Sequence, residues 1–466
     1  MANALWLPSR AARSLLPLLA ATSLAQAPVR VAYLHQGLPV GGVESSLINV
    51  CRFIDRRRIE PVLVLFGRDA ADALLDDALR AGCAVERFDA RWRNADWSIS
   101  WDERQVRRLT RYLRSGGFGA AVAFYGGAEL GEAVPLGVAA ANRAGLPVVV
   151  RIEWVAAAPP DLDVAAVEVS TPFVARIQTR KGVAYPLHLL GGGVEVPATY
   201  ARTPGASRTL VVGRISRLIV EKDPISFVLA APLIRDALVG STYDAVRFLI
   251  AGDGPLRGEL EALDADQGGL VEFLGAVPRS GLWAFLDSID VFLYSSVCDS
   301  LGYVMLEAMA AARPVVATRV CAAEDVVDDG VTGVLVDPVL DERGEHSLGD
   351  ASAKRHADAV VALVRRGPAA LEAAGAAARA VVERAWAAPK FFDRHASLLE
   401  SVAQKTQTVD ALPYERRRWS KVTATWALTK FIYAEETGDG GFQNEVMGCV
   451  ETKSSTRLQF ERIRMF

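Results

Sequence analysis

The 466-residue chain is poor in sulfur and imidazole, with five cysteines, five methionines and five histidines. The cysteines, at 51, 83, 298, 321 and 449, are scattered, odd in number and contain no CxxC pair. That suits reduced thiols in a cytoplasmic protein better than a disulfide framework or a zinc site. No histidines stand at metal-ligand spacing, so no metal centre is expected. A basic surplus is also missing: the net charge is −3, which disfavours a nucleic-acid binder. No internal repeat of solenoid length occurs. The apolar run near the start, SLLPLLAATSLA, is too short to span a bilayer as a helix. Arg10 and Arg13 precede it, AQA follows, and no acidic residue comes before Glu44. Residues 1–28 therefore read as an N-terminal extension or a targeting segment.

What is present is an ordinary globular composition, 51% hydrophobic and 23% charged, in a chain long enough for two domains. Strand-like runs recur as VRVAYLH, PVLVLF, AAVAFY, PVVVRIEW, VAAVEVS and YPLHLL, separated by amphipathic stretches such as SSLINVCRFI and ERQVRRLTRYLR. A linker-like PATYARTPGASR precedes a second alternation: TLVVGRI, VRFLIAGDG, VEFLGAV, VFLYSS, RPVVATRV, GVLVDP. Strands alternating with helix-length segments indicate parallel sheets with crossover helices. The expected fold class is α/β, with doubly wound domains at 29–200 and 201–385. Residues 350–405 have helical periodicity and are expected to close the second domain, 386–405 as a closing helix. Residues 406–466 shift to Lys, Thr, Ser, Gln and Glu and form a tail without a legible pattern.

In such sheets ligands bind where strands end, so the loops after strands hold the candidates. In HQGLPVGGVESS, Gly41 and Gly42 allow close approach to a ligand at a helix start, or simply a tight turn. In GRISRLIVEKDP, Arg214, Arg217 and Lys222 offer a phosphate grip, or a solvated charged loop. IAGDGPLRGEL holds Gly252 and Gly254 but is spaced GxGxxxG, and the following strand holds Glu272 internally instead of ending on an acid, which weakens a dinucleotide reading. In SSVCDSLGYVMLEAMA, Asp299 falls in a loop, Gly302 at a helix entrance and Glu307 within the helix. The entrance favours an anion, and a carboxylate can accept two hydrogen bonds from a diol. The plainer reading is an N-capping Asp and a helix-surface Glu. DxD-like pairs at Asp161/Asp163 and Asp264/Asp266 sit in polar loops or helix ends and read as chance.

Taken in order, GGVE, GR…EK, AGDGP, FLGAVP, DSLGYVMLEAMA, RPVVAT and DGVTGVLVDP resemble family 4 of the retaining glycosyltransferases, which have the GT-B fold of two Rossmann-like domains facing a cleft. The resemblance runs from about residue 29 to 400 and is densest at 209–338. It implies transfer of a sugar from a nucleotide diphosphate sugar to a hydroxyl of a glycan, lipid or small molecule, without a metal or other cofactor. It implies that Arg214 and Lys222 hold the donor diphosphate, that Glu307 binds the ribose, and that Asp299 lies near the transferred sugar. Leu301 and Gly302 would meet phosphates or sugar, the stretch from Gly275 to Val277 would line the base pocket, and Gly41 and Gly42 would lie across the cleft. The chain departs from the pattern in four places. Asp299 replaces a Glu, and the basic loop is two residues longer than the common form. RIEW replaces a histidine-bearing strand end, making Arg151 and Glu153 acceptor-side candidates. Gly192-Gly193 replaces an NG pair. The rivals are a silent nucleotide-sugar binder and a GT-B epimerase or hydrolase. The basic stretch RQVRRLTRYLR at 104–114 suits peripheral contact with anionic lipid or a solvated helix face.

Overall fold

The computed structural model describes residues 27–408, apart from 36, 39–40, 66–73, 89–102, 126–132, 154–162, 181–184, 201–202, 205, 239–242, 298, 341–345 and 347. The expectations for residues 1–26, the tail beyond 408, Asp161, Cys298 and Cys449 lie outside the described residues.

The first domain is a seven-stranded parallel sheet of β1 (Val29–His35), β2 (Ile59–Leu65), β3 (Ala84–Arg87), β4 (Ala120–Tyr125), β5 (Val148–Ile152), β6 (Ala166–Val169) and β7 (Leu187–Leu189). Its order is β3-β2-β1-β4-β5-β6-β7. The second is a six-stranded sheet of β8 (Thr209–Ile215), β9 (Ala245–Ala251), β10 (Val271–Gly275), β11 (Val291–Tyr294), β12 (Val315–Thr318) and β13 (Gly333–Val336), ordered β10-β9-β8-β11-β12-β13. Helices cover both faces, so β5 is buried throughout, as are β1 from Val31 to His35 and β4 from Ala120 to Phe124, and these strands are mostly apolar. Each sheet reverses strand order beside its first strand, between β1 and β4 and between β8 and β11. A ligand crevice forms at such a reversal. The loops after β1, β8 and β11 are those that carry Gly41–Gly42, Arg217–Lys222 and Asp299. Among the described residues, no helix is long and apolar enough to cross a membrane.

Two features differ from the sequence expectations. The helix Pro368–Ala385 packs on the second domain through Leu371, Ala378 and Val382, but the last helix, Ala388–Thr408, returns to the first. Its Phe391, Phe392, Leu399 and Val402 join the core formed by β1 and the helix Gly42–Phe53. Arg58 fixes the same face, pairing with Asp393 at 2.6 Å and Glu400 at 2.7 Å. The chain's two crossings are bonded to each other. Val194 N–H donates to Trp386 C=O at 3.0 Å and Ala388 N–H to Val194 C=O at 2.8 Å.

The second difference is a disulfide between Cys51 and Cys83. It ties the end of the helix Gly42–Phe53 to the residue before β3, because both segments pack over β2 and bring the two Cα atoms to 5.4 Å. A separation of 32 residues carries no sign of this, and the cytoplasmic expectation loses the support it drew from the cysteines.

Candidate functional site

Arg214 lies in β8, and its guanidinium is turned inward. Nη1 donates to the Asp223 carbonyl and to Ser295 Oγ, both at 2.9 Å. Nη2 donates to Ser216 Oγ at 2.9 Å and to the Lys222 carbonyl at 2.6 Å. Phe227 lies beneath it, its ring centre 5.8 Å from Cζ. Burial pulls its pKa down to about 10. Both terminal nitrogens are engaged within the protein, so Arg214 shapes the loop from Ser216 to Asp223 from below. The glycines of AGDG brace the same loop from the side. Leu218 N–H donates to Asp253 C=O at 2.9 Å, and a Cβ on Gly252 would overlap the Ser216 carbonyl oxygen. Gly254 faces the Leu218 backbone in the same way. These glycines serve close backbone packing, which accounts for a spacing unlike a dinucleotide loop.

Lys222 is the cation this loop directs at Asp299. Its Nζ lies 2.6 Å from Asp299 Oδ2, and Tyr294 Oη donates to the same oxygen. Burial alone would raise the Asp299 pKa. Lys222, Tyr294 and the Gly302 N–H outweigh it and hold the carboxyl below its ordinary value. Gly302 is in the left-handed region at φ 69°, where a Cβ would sit 3.0 Å from Tyr294 Oη. From it springs the helix Tyr303–Ala310, which carries Glu307. Glu307 is buried and receives a hydrogen bond from Arg279 Nη1. Here burial prevails over the arginine and the pKa is raised. Each of the two carboxylates is thus matched by a cation from another loop. Gly275, left-handed at φ 73°, ends β10 and accepts from Gly252 N–H at 2.7 Å; Val277 is half-buried against the core beneath that helix.

The first domain meets this helix entrance directly. A Cβ on Gly42 would lie 3.1 Å from the Tyr303 ring, and one on Gly192 would overlap Leu301. Gly41 backs onto the Glu44 carboxylate, whose pKa burial raises to about 7, while burial lowers neighbouring His35 to about 4. Arg151 and Glu153, the acceptor-side candidates, are 0% and 2% exposed. Arg151 pairs with Glu153 and Glu168, and donates to the Gly191 carbonyl at 3.1 Å and Tyr303 Oη at 3.3 Å. Tyr303 Oη donates to Glu153 Oε1 at 3.1 Å, and Ser300 Oγ to the Glu153 carbonyl. These two residues form the seat on which the helix entrance docks, and their side chains do not line open space. Asp264 accepts from Leu270 and Val271 N–H groups, a turn function that accounts for that acid.

Tyr294, Arg279, Ser300 and Tyr303 escaped the reading of the sequence. A tyrosine directly after a helix-entrance glycine was a usable signal for Tyr303. Arg279 has none, since nothing local separates it from exposed arginines such as Arg247. Among the described residues, no group of three or more His, Cys, Asp or Glu is placed to hold a metal ion.

Residues 206–347 match the family described as glycosyl transferases group 1. The chain is 40% identical over 139 residues to a phosphatidyl-myo-inositol mannosyltransferase of Mycobacterium leprae, covering 28% of this chain and 33% of that protein. It is 36% identical over 140 residues to a D-inositol 3-phosphate glycosyltransferase of Pseudarthrobacter chlorophenolicus, covering 29% and 31%. The matches span about a third of these relatives' length. Among solved structures, Anabaena Alr3699/HepE in complex with UDP and glucose superposes with TM-score 0.61 at 19% identity, over 80% of this chain and 100% of that one. The pneumococcal O-GlcNAc transferase GtfA, in complex with UDP and GlcNAc, gives 0.61 at 12% identity, over 81% and 99%. The chain has the GT-B fold, and its residues 206–347 carry the pattern of the group 1 glycosyltransferases.

Proposed function

We propose that this protein is a metal-independent, retaining glycosyltransferase that moves a sugar from a nucleoside diphosphate sugar to a hydroxyl of a glycan, lipid or small molecule. The observation that carries the reading is the cluster of Lys222, Asp299 and Gly302 at one helix entrance, with Glu307 farther along the same helix, facing the first domain at the switch point of the second sheet. Breaking the bond from the anomeric carbon to the diphosphate leaves negative charge on phosphate oxygens. Lys222 and the N–H groups of the helix entrance would stabilise that charge as it develops. Asp299, kept ionised, would accept from a sugar hydroxyl or steady positive charge at the anomeric carbon. Glu307 would accept from the ribose diol. The departing phosphate oxygen would take the acceptor's proton, so the step needs no side-chain base. The names of the relatives, sugar transferases, support the same chemistry. We further propose peripheral contact with an anionic membrane through the helix Glu103–Ser115.

The test is a thermal-shift panel with UDP, GDP, ADP and dTDP in the presence of a chelator. A nucleotide at about 100 times its Kd adds roughly 2.7 kcal/mol, which raises the melting point by a few degrees. One nucleotide is expected to do so; no shift with any of them would remove the donor reading.

A further inference from the structure

Arg279 opens the short turn Arg279–Gly281 after β10, and it reaches across to Glu307 on a different element. The pair is largely withdrawn from water, with side chains 19% and 6% exposed. On its other side Arg279 borders a small pocket with Ser45, Asn49 and Arg52 of the first domain's helix. Arg279 therefore sits where both domains converge. Its Nη2 is buried and has no hydrogen-bond partner among the described residues, a donor that a ligand oxygen can satisfy.

Glu307 is in an electrostatically poor place for a carboxylate. Burial disfavours its charge, Glu195 on the connecting segment adds a like charge, and Arg279 opposes both. Arg52, on the helix Gly42–Phe53, reaches Glu195 only at 4.0 Å. Only the ionised form can accept hydrogen bonds from both hydroxyls of a diol without offering a donor of its own.

Resting on the donor reading above, we infer that Arg279 is a positioning residue of the nucleotide site: it keeps Glu307 ionised and oriented to receive the ribose diol. Removing Arg279 leaves a buried carboxyl beside another carboxylate, and both influences push it further toward its neutral form. The loss of binding then depends on pH, which loss of packing alone does not produce.

The experiment is calorimetric binding of whichever of UDP, GDP, ADP or dTDP binds the wild type, from about pH 6 to about pH 9. It is run on wild type, Arg279→Ala, Arg279→Lys and Glu307→Gln. Affinities are taken as ratios to wild type at the same pH, so that ionisation of the nucleotide cancels. Arg279→Ala is expected to bind about tenfold more weakly at the acid end and to recover as Glu307 ionises, since each pH unit below a pKa is worth up to about tenfold. Arg279→Lys, which keeps the charge, stays near wild type. Glu307→Gln is weak at every pH. Wild-type affinity in Arg279→Ala throughout, or one constant loss at every pH, overturns the inference while leaving the donor reading intact. If no nucleotide binds the wild type, the donor reading itself falls, and this inference with it.

Discussion

Arg214 and Lys222 look interchangeable in the sequence, two cations in one loop expected to grip one diphosphate. Burial separates them. Arg214 is enclosed and hydrogen-bonded to Asp223, Ser295, Ser216 and Lys222, whereas Lys222 pairs with Asp299. Substituting them should therefore give different signatures. Arg214→Ala removes the whole cluster and leaves a void over Phe227, so the ligand-free protein is expected to lose about 3 kcal/mol or more. That is a drop of several degrees in melting point. Lys222→Met keeps the stem and should melt within a few degrees of wild type but lose the nucleotide-induced shift. Paired melting curves with and without nucleotide check both, and a ligand shift retained in Lys222→Met would remove Lys222 from the donor site. Residue type and loop position were legible in the sequence. Which cation is enclosed depends on Asp223, Ser295 and Phe227, and these come from elements whose packing the loop itself does not encode.

The elements were legible wherever local pattern and tertiary demand agree. The strands of both sheets other than β3 announce themselves as apolar runs because a parallel sheet is covered on both faces, whereas β3, an edge strand reading AVER and largely exposed, carries no such run. The helix Glu103–Ser115 is equally plain: Val106, Leu109 and Leu113 are buried, while Arg104, Arg107, Arg108, Arg111 and Arg114 are exposed on the other side. A row of cations fixed by a packed helix suits an anionic bilayer, each one near the surface contributing about 1 kcal/mol. Cosedimentation with vesicles containing phosphatidylserine should fall at least tenfold when Arg107, Arg108 and Arg111 are changed to Gln, and should fall with salt. Equal sedimentation of the variant and wild type would leave that face as ordinary solvated surface. The last helix was legible as a helix but not in its destination. Its Phe391, Phe392 and Val402 would suit either core; the crossing at Val194 and Trp386 decides.

At the scale of the whole molecule, a buried charge network in the first domain receives the Tyr303 hydroxyl of the second. Glu168 on β6 pairs with Arg151 and with His395 of the returning helix at 2.8 Å, and His395 Nε2 lies 3.0 Å from Tyr33 Oη. Arg151 continues the network to Glu153 and to Tyr303 of the second domain. Burial works against the Glu168 charge, but His395 and Arg151 together hold its pKa at about 2, below its ordinary 4.5. A carboxylate depressed in this way stabilises the fold fully above its unfolded pKa, and that stability is lost as pH falls through the folded value. Urea midpoints measured from neutral pH downward should therefore decline between about 4.5 and about 2. Glu168→Gln should be about 3 kcal/mol less stable at neutral pH, because it leaves Arg151 short of a buried partner, and its acid decline should be shallower. An unchanged neutral-pH midpoint in that variant would show that the network does not stabilise the fold.

By itself the sequence determined two α/β domains, the loops where chemistry gathers, and the glycosyltransferase likeness of residues 209–338. The first two follow from local periodicity and from residue type at strand ends; the third is a resemblance carried by the order of the motifs from GR…EK to DGVTGVLVDP. Only the tertiary structure decided that Arg214 faces inward, that Arg279 answers Glu307, that Arg151 and Glu153 seat Tyr303, that Cys51 meets Cys83, and that the last helix returns to the first domain. Each of those outcomes depends on which distant segment lies against a side chain. Burial, charge pairing and disulfide formation all depend on that proximity in space, which local pattern leaves open.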